Sequence, residues 1–118
     1  MTQASDVRVV FVTAGDKEEG LALARQVVKE GLAACCNVVP DVTSVFEWDG
    51  NMREEAEVLL ILKTSAGRAA ILAERVAELH TYDVPEVLTV VVDGGHEPYL
   101  EWVRECTRVE PFHGQTEP

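Results

Sequence analysis

The dipeptide Asp49-Gly50 stands between two extended apolar runs, Val42–Trp48 (VTSVFEW) and a return run from about Glu55 to Thr64. Asp-Gly in that setting is the strongest short signal for a β-hairpin, because the turn that suits the twist of paired strands needs left-handed backbone at both central positions. An antiparallel pair therefore belongs at the middle of the chain, and the flanking segments decide what it joins. Upstream, Val7–Thr13 (VRVVFVT) is β-branched and aromatic and reads as a strand. Asp16 then suits a helix N-cap, with Glu18 and Glu19 in the first turn where the helix dipole favours negative charge. Leu21, Ala24, Val28 and Leu32 give that helix an apolar face, and Gly31 marks its end. Ala33–Val39 (AACCNVV) is a second strand. Pro40-Asp41 interrupts it before Val42, which predicts a bend or bulge on an edge strand, since proline cannot donate to a ladder.

Downstream, the run Val58–Leu62 suggests burial on both faces. Ser65 is placed to cap a helix with the stripe Ala69, Leu72, Val76 and Leu79, ending near His80. Pro85 excludes helix at Val84. Glu86–Asp93 reads as a strand, Gly94-Gly95 ends it, and Pro98–Thr107 reads as a short third helix. The order β-α-β-β-α-β-α describes two βαβ-like halves joined by a hairpin: an α+β, ferredoxin-like βαββαβ sandwich with an extra C-terminal helix. Residues 1–108 form the single domain and 109–118 a tail. Both long helices belong on one face of the sheet. The other face is bare unless another subunit covers it, and Phe46 and Trp48 on the hairpin call for such cover.

With 118 residues the chain has room for one domain. Its formal charge of −11, from 10 basic and 21 acidic residues, repels phosphate backbones, so nucleic acid is not an expected partner. No apolar run reaches the roughly 18 residues that a membrane span needs. The start, MTQASD, lacks a basic segment followed by an apolar one, so the cytoplasm is the expected compartment. Three cysteines, two of them adjacent and none in a C-x-x-C, argue against a disulfide framework or a zinc ribbon. A phosphate-binding glycine loop, G-x-S-x-G and H-E-x-x-H are all missing, so no enzyme class is indicated.

A few residues could carry chemistry. Cys35 and Cys36 are neighbours on a strand and point to opposite faces, so they cannot chelate one metal together. One belongs in the core. The other faces a cleft as a packing residue, a thiolate metal ligand or a redox thiol. His80 is either a helix C-terminal cap or a soft-metal ligand. Lys63 closes an apolar strand. It either snorkels to solvent or pairs with Glu86 where strand ends meet, holding a polar or anionic small ligand. Trp48, Tyr82 and Trp102 suit a core or subunit interface before a pocket wall. A nucleophile pair of Cys35 or Cys36 with His80 is a third reading.

The stretches EGLAACCNVVPDVTSVFEWDG, EVLLILKT, LHTYDVPEV and YLEWV resemble the CutA family of divalent-cation tolerance proteins, in the family's order and over roughly Val7 to Val103. The resemblance implies a tight homotrimer of ferredoxin-like subunits, PII-like in architecture, with the hairpin and C-terminal segments at the interfaces. It implies a role in tolerance of divalent cations, copper among them, with no catalytic reaction and no organic cofactor. Self and divalent metal ions are then the partners, without nucleic acid or membrane. The family's positions fall on Cys35, Trp48, Lys63, His80, Tyr82, Pro85, Glu86 and Trp102. Cys36 stands where the family usually has a small apolar residue, and Thr81 where it has proline. Cys35, His80 and Glu86 become the metal-ligand candidates. The alternative is a PII-like signalling module whose inter-subunit pocket is lined by Trp48, Lys63, Tyr82 and Glu86.

Overall fold

Asp49 and Gly50 both take positive φ, 53° and 78°, the left-handed pair that a two-residue hairpin turn requires. The turn joins the two longest strands of the protein, which close on each other with Trp48 opposite Asn51. In this computed structural model, which describes residues 4–108, the order is β1 (Val7–Ala14), α1 (Lys17–Lys29), β2 (Cys35–Trp48), β3 (Asn51–Ser65), α2 (Ala66–Leu79), β4 (Val87–Val91) and α3 (Glu97–Cys106). The four strands form one sheet in the order β2-β3-β1-β4 with every pair antiparallel. This is the α+β ferredoxin-like arrangement. The expected tail at 109–118 lies outside the described residues.

Pro40 sits where its missing N–H is harmless. β2 is an edge strand, and its register with β3 slips between Val39 and Val42, with Asp41 at φ 63°. Two strand bounds differ from expectation. β3 starts at Asn51 rather than near Glu55, because the tight turn lets pairing begin at once. β4 runs only from Val87 to Val91 rather than from Glu86 to Asp93.

α1 and α2 cover one face of the sheet. Val10, Val12, Leu60 and Leu62 meet Leu23, Val27, Leu72 and Val76 in the main core. Asp16 caps α1 by accepting the Glu19 N–H at 2.8 Å, and Gly31 follows its end with φ 74°. The buried face of α1 is Gly20, Leu23, Ala24 and Val27, not the face through Leu21 and Val28. Gly20 decides this. A β-carbon there would stand 2.9 Å from the Val58 Cγ2 and 3.1 Å from the Leu60 Cδ2, so the helix touches the sheet where it has no side chain. Ser65 precedes α2, but its side chain does not cap the helix; its hydroxyl accepts from the Thr107 Oγ1 at 3.0 Å instead.

The opposite face is the open one. Leu59 and Ile61 are only half-buried, so the apolar run of β3 is buried on one face and not on both. The alternation is concealed because this chain leaves both faces of the strand apolar. α3 covers just one end of the open face, where Leu100 and Val103 pack on Val7 and Ala34. The rest carries Val9, Phe11, Leu88 and Val90, the last two 56% and 45% exposed. Charged ties hold the periphery. Arg75 donates to Glu30 at the end of α1 and to Glu78, and Arg104 bonds Asp6, Glu97 and Glu101. The Arg75 guanidinium, followed by the Gln26 amide, pulls the Glu30 carboxyl down to about 2. Among the described residues no helix is long and apolar enough to cross a membrane.

Candidate functional site

Cross-strand rows on the open face place the first candidates. Cys35 lies opposite Lys63, Lys63 opposite Val9, and Val9 opposite Val90. The Cys35 thiol is 3.6 Å from the Tyr99 hydroxyl of α3. Burial, then this contact, pushes the Tyr99 phenol up to about 12. Tyr99 itself leans on Trp102, with ring centroids 5.6 Å apart. Lys63 gives its ammonium to the Asn37 amide oxygen, one alternation further along β2. Lys63 does not pair with Glu86. β1 lies between their strands, and Glu86 precedes β4 at the far end of the sheet.

Cys36 points the other way and packs against the main core. Burial first, then its neighbour Cys35, raises its thiol to about 11. The thiol is therefore almost wholly protonated at neutral pH, and little of the reactive thiolate is present. In a timed alkylation at pH 8, the exposed Cys106 should label in the native protein, while Cys36 should label only after denaturation. Mass mapping of the labelled peptides checks this; rapid native labelling of Cys36 would overturn it.

At the opposite end, the segment after α2 is held by His80. Its Nε2 is 2.7 Å from the Thr13 carbonyl oxygen, and its Nδ1 accepts the Tyr82 N–H at 3.1 Å. A carbonyl can only accept, so Nε2 carries the proton and Nδ1 is bare. Both ring nitrogens are thus engaged inside the chain. Thr81, in place of the family's proline, donates its hydroxyl to Glu19 in the first turn of α1. The His80 and Tyr82 rings pack with centroids 4.6 Å apart and planes tilted by 49°. That sets the Tyr82 hydroxyl 2.7 Å from the Glu57 Oε2, to which it donates. Desolvation and this bond to a carboxylate raise the Tyr82 phenol well above its ordinary value.

Between this segment and the hairpin runs a groove of about 670 Å³. Phe46, Trp48 and Tyr82 give it aromatic walls, and Glu57, Arg53 and Glu86 line it as well. Trp48 is 50% exposed, so it belongs to no core of this chain. The groove thus unites Trp48, Tyr82 and Glu86 and leaves out Lys63, Cys35 and His80. From the row of Lys63 to the row of Leu59, which pairs with Thr13, is four residues of β3, about 13 Å. Cys35 and Cys36 stand opposite Lys63 and Leu62 while the His80 imidazole is held at Thr13, so the pair of Cys35 or Cys36 with His80 has no geometry behind it. Among the described residues, no group of three or more His, Cys, Asp or Glu is arranged to hold a metal ion.

Sequence reasoning missed Glu57. It follows Glu54 and Glu55 in a stretch that looks uniformly solvated. The strand alternation Lys63, Ile61, Leu59, Glu57 was a usable signal, since it puts this one carboxylate in line with half-buried side chains.

The comparisons agree with the fold. A model of the family described as CutA1 divalent ion tolerance protein matches residues 8–106. The chloroplastic protein CutA of Arabidopsis thaliana is 46% identical over 100 residues, covering 85% of this chain and 55% of the relative. The divalent-cation tolerance protein CutA of Thermus thermophilus is 41% identical over 99 residues, covering 84% and 96%. The crystal structure of CutA1 from Oryza sativa superposes with a TM-score of 0.86 at 43% identity, covering 91% of this chain and 98% of that one. The chain spans about half the length of its plant and human relatives. With its motifs in order, its sheet topology matched and nearly all of its described length inside the family model, the chain belongs to the CutA1 divalent ion tolerance family.

Proposed function

We propose that this chain serves in tolerance of divalent metal ions, copper foremost, as a binding protein of the cytoplasm that works as a homotrimer. The observation that carries the reading is the separation of the donors in one chain. Cys35 stands at the α3 end of the open face and Glu86 precedes β4 at the other end, with apolar side chains between them, while His80 lies at the end of β1 beside α1. Among the described residues a single chain offers no cage. An ion held by these residues is held between copies, each giving a different donor, across the sheet face that lacks cover. Thiolate and imidazole suit copper, and the Glu86 carboxylate adds a harder oxygen. His80 ligates through Nδ1 only by releasing the Tyr82 N–H, so metal affinity and the order of the 80–82 segment are linked. Family membership supports the metal role, and three free cysteines support a reducing compartment.

The test is calorimetric titration of Cu²⁺ into the full chain, with light scattering of the same sample. A trimer that binds copper, and loses at least roughly tenfold in affinity as Cys35→Ala or Glu86→Gln, is the expected outcome. A monomer, or copper affinity unchanged in both variants, would remove this reading.

A further inference from the structure

The groove beside the hairpin holds a carboxylate whose surroundings do not balance it. Glu57 is 9% exposed, and burying a carboxylate is unfavourable unless opposite charge or several donors meet it. It meets one donor, the Tyr82 hydroxyl at 2.7 Å on Oε2. Arg53 lines the same groove, but the carboxylate it approaches is Glu55, at 3.9 Å. Asp83 and Glu86 also line the groove, so three carboxylates face one guanidinium. The walls are the rings of Phe46, Trp48 and Tyr82.

Each feature selects against a class of ligand. The excess of carboxylates disfavours an anion. The aromatic walls give a bare metal ion nothing to coordinate, and among the described residues no three donors are arranged for one. An alkylammonium or a guanidinium satisfies all of them. It donates to the free oxygen of Glu57 in a charge-assisted hydrogen bond, and its apolar stem or planar face lies against rings whose faces are negative. We propose that the groove between the hairpin and the 82–86 segment is a binding site for a small organic cation of the alkylammonium or guanidinium class, with Glu57 as its counter-ion. Tyr82 is the positioning residue: its hydroxyl holds Oε2, which leaves Oε1 for the ligand. His80 fixes Tyr82 in turn, through the Tyr82 N–H and the tilted ring contact.

Agmatine, with a guanidinium at one end and an ammonium at the other, is the probe. It is titrated into the full chain by calorimetry. The emission of Trp48 is followed in a Trp102→Phe background, which leaves Trp48 as the sole tryptophan. Saturable binding with a change in Trp48 emission is expected. Glu57→Gln should weaken it at least roughly tenfold, since the charge is lost and, with the amide oxygen turned to Tyr82, an NH2 that can only donate faces the cation. The glutamine still accepts from Tyr82, so that variant should keep the wild-type melting curve. Butyrate, a small organic ion of opposite charge, should not bind. No saturable agmatine binding at millimolar concentration, equal binding by Glu57→Gln, or equal binding of butyrate would each overturn the assignment. A basic side chain from a second copy that already fills the groove would give the first of these outcomes.

Discussion

Leu72→Ala is expected to destabilise the fold by about 3 kcal/mol, a loss on the order of 15 °C in melting temperature. Leu72 is fully buried at the centre of the α2 face and packs in the same cluster as Leu60, Leu62 and Val76. Truncation removes its transfer free energy and leaves a cavity that a sheet on one side and a helix on the other cannot close. The effect reaches the groove as well, because α2 ends at the residue whose imidazole holds Thr13 and Tyr82. Urea unfolding at one fixed protein concentration measures it, since association makes any midpoint depend on concentration. A loss below about 1 kcal/mol would mean that α2 slides into the space.

The second large effect is expected at Gly20. Replacement by valine should cost about 3 kcal/mol, against a helix-propensity gain of a few tenths. The added β-carbon already falls at 2.9 Å from Val58 and 3.1 Å from Leu60, and two methyls follow it. Both contacts are to branched side chains packed in the core, so neither swings clear without displacing others. Gly20→Ala separates propensity from space. Alanine gains about 1 kcal/mol as a helix former, which offsets much of its clash, so it should sit far closer to wild type. If valine proved as mild as alanine in urea unfolding, the close approach of α1 to the sheet would be wrong.

What was legible before the structure follows from which signals are local. The Asp49-Gly50 turn, the Asp16 cap, the Gly31 terminus and the bulge beside Pro40 are all written within a few residues of where they act, and each took its expected place. The buried side of α1 was not local. Two apolar stripes compete along that helix, and a glycine, which adds nothing to hydrophobic periodicity, chooses between them by touching β3. The run of β3 misled for a related reason. A strand with one face in the core and the other left open reads the same as one buried on both when neither face is polar.

The site was legible as a set of residues and not as a geometry. His80 and Tyr82 were marked as chemistry-bearing, but their use of each other depends on Thr13 and Glu57, both distant in sequence. Cys35 and Glu86 were marked together, and the strand order holds them apart.

The place of β1 in the sheet also bears on how the chain is made. Among the described strands β1 is made first, yet its two neighbours are β3 and β4, the two that are made after the others. The β2–β3 hairpin can zip up from its own two-residue turn as soon as it exists, and it then offers β1 a first edge. The second edge of β1 stays open until Val87–Val91 has been added, on the order of ten seconds after β1 at ordinary rates of synthesis. During that interval the strand carrying Val9, Phe11 and Val12 has an unpaired rim. The five-residue strand β4 thus acts as the closing seam of this sheet, and a nascent chain stalled before it would present a sticky edge to its neighbours.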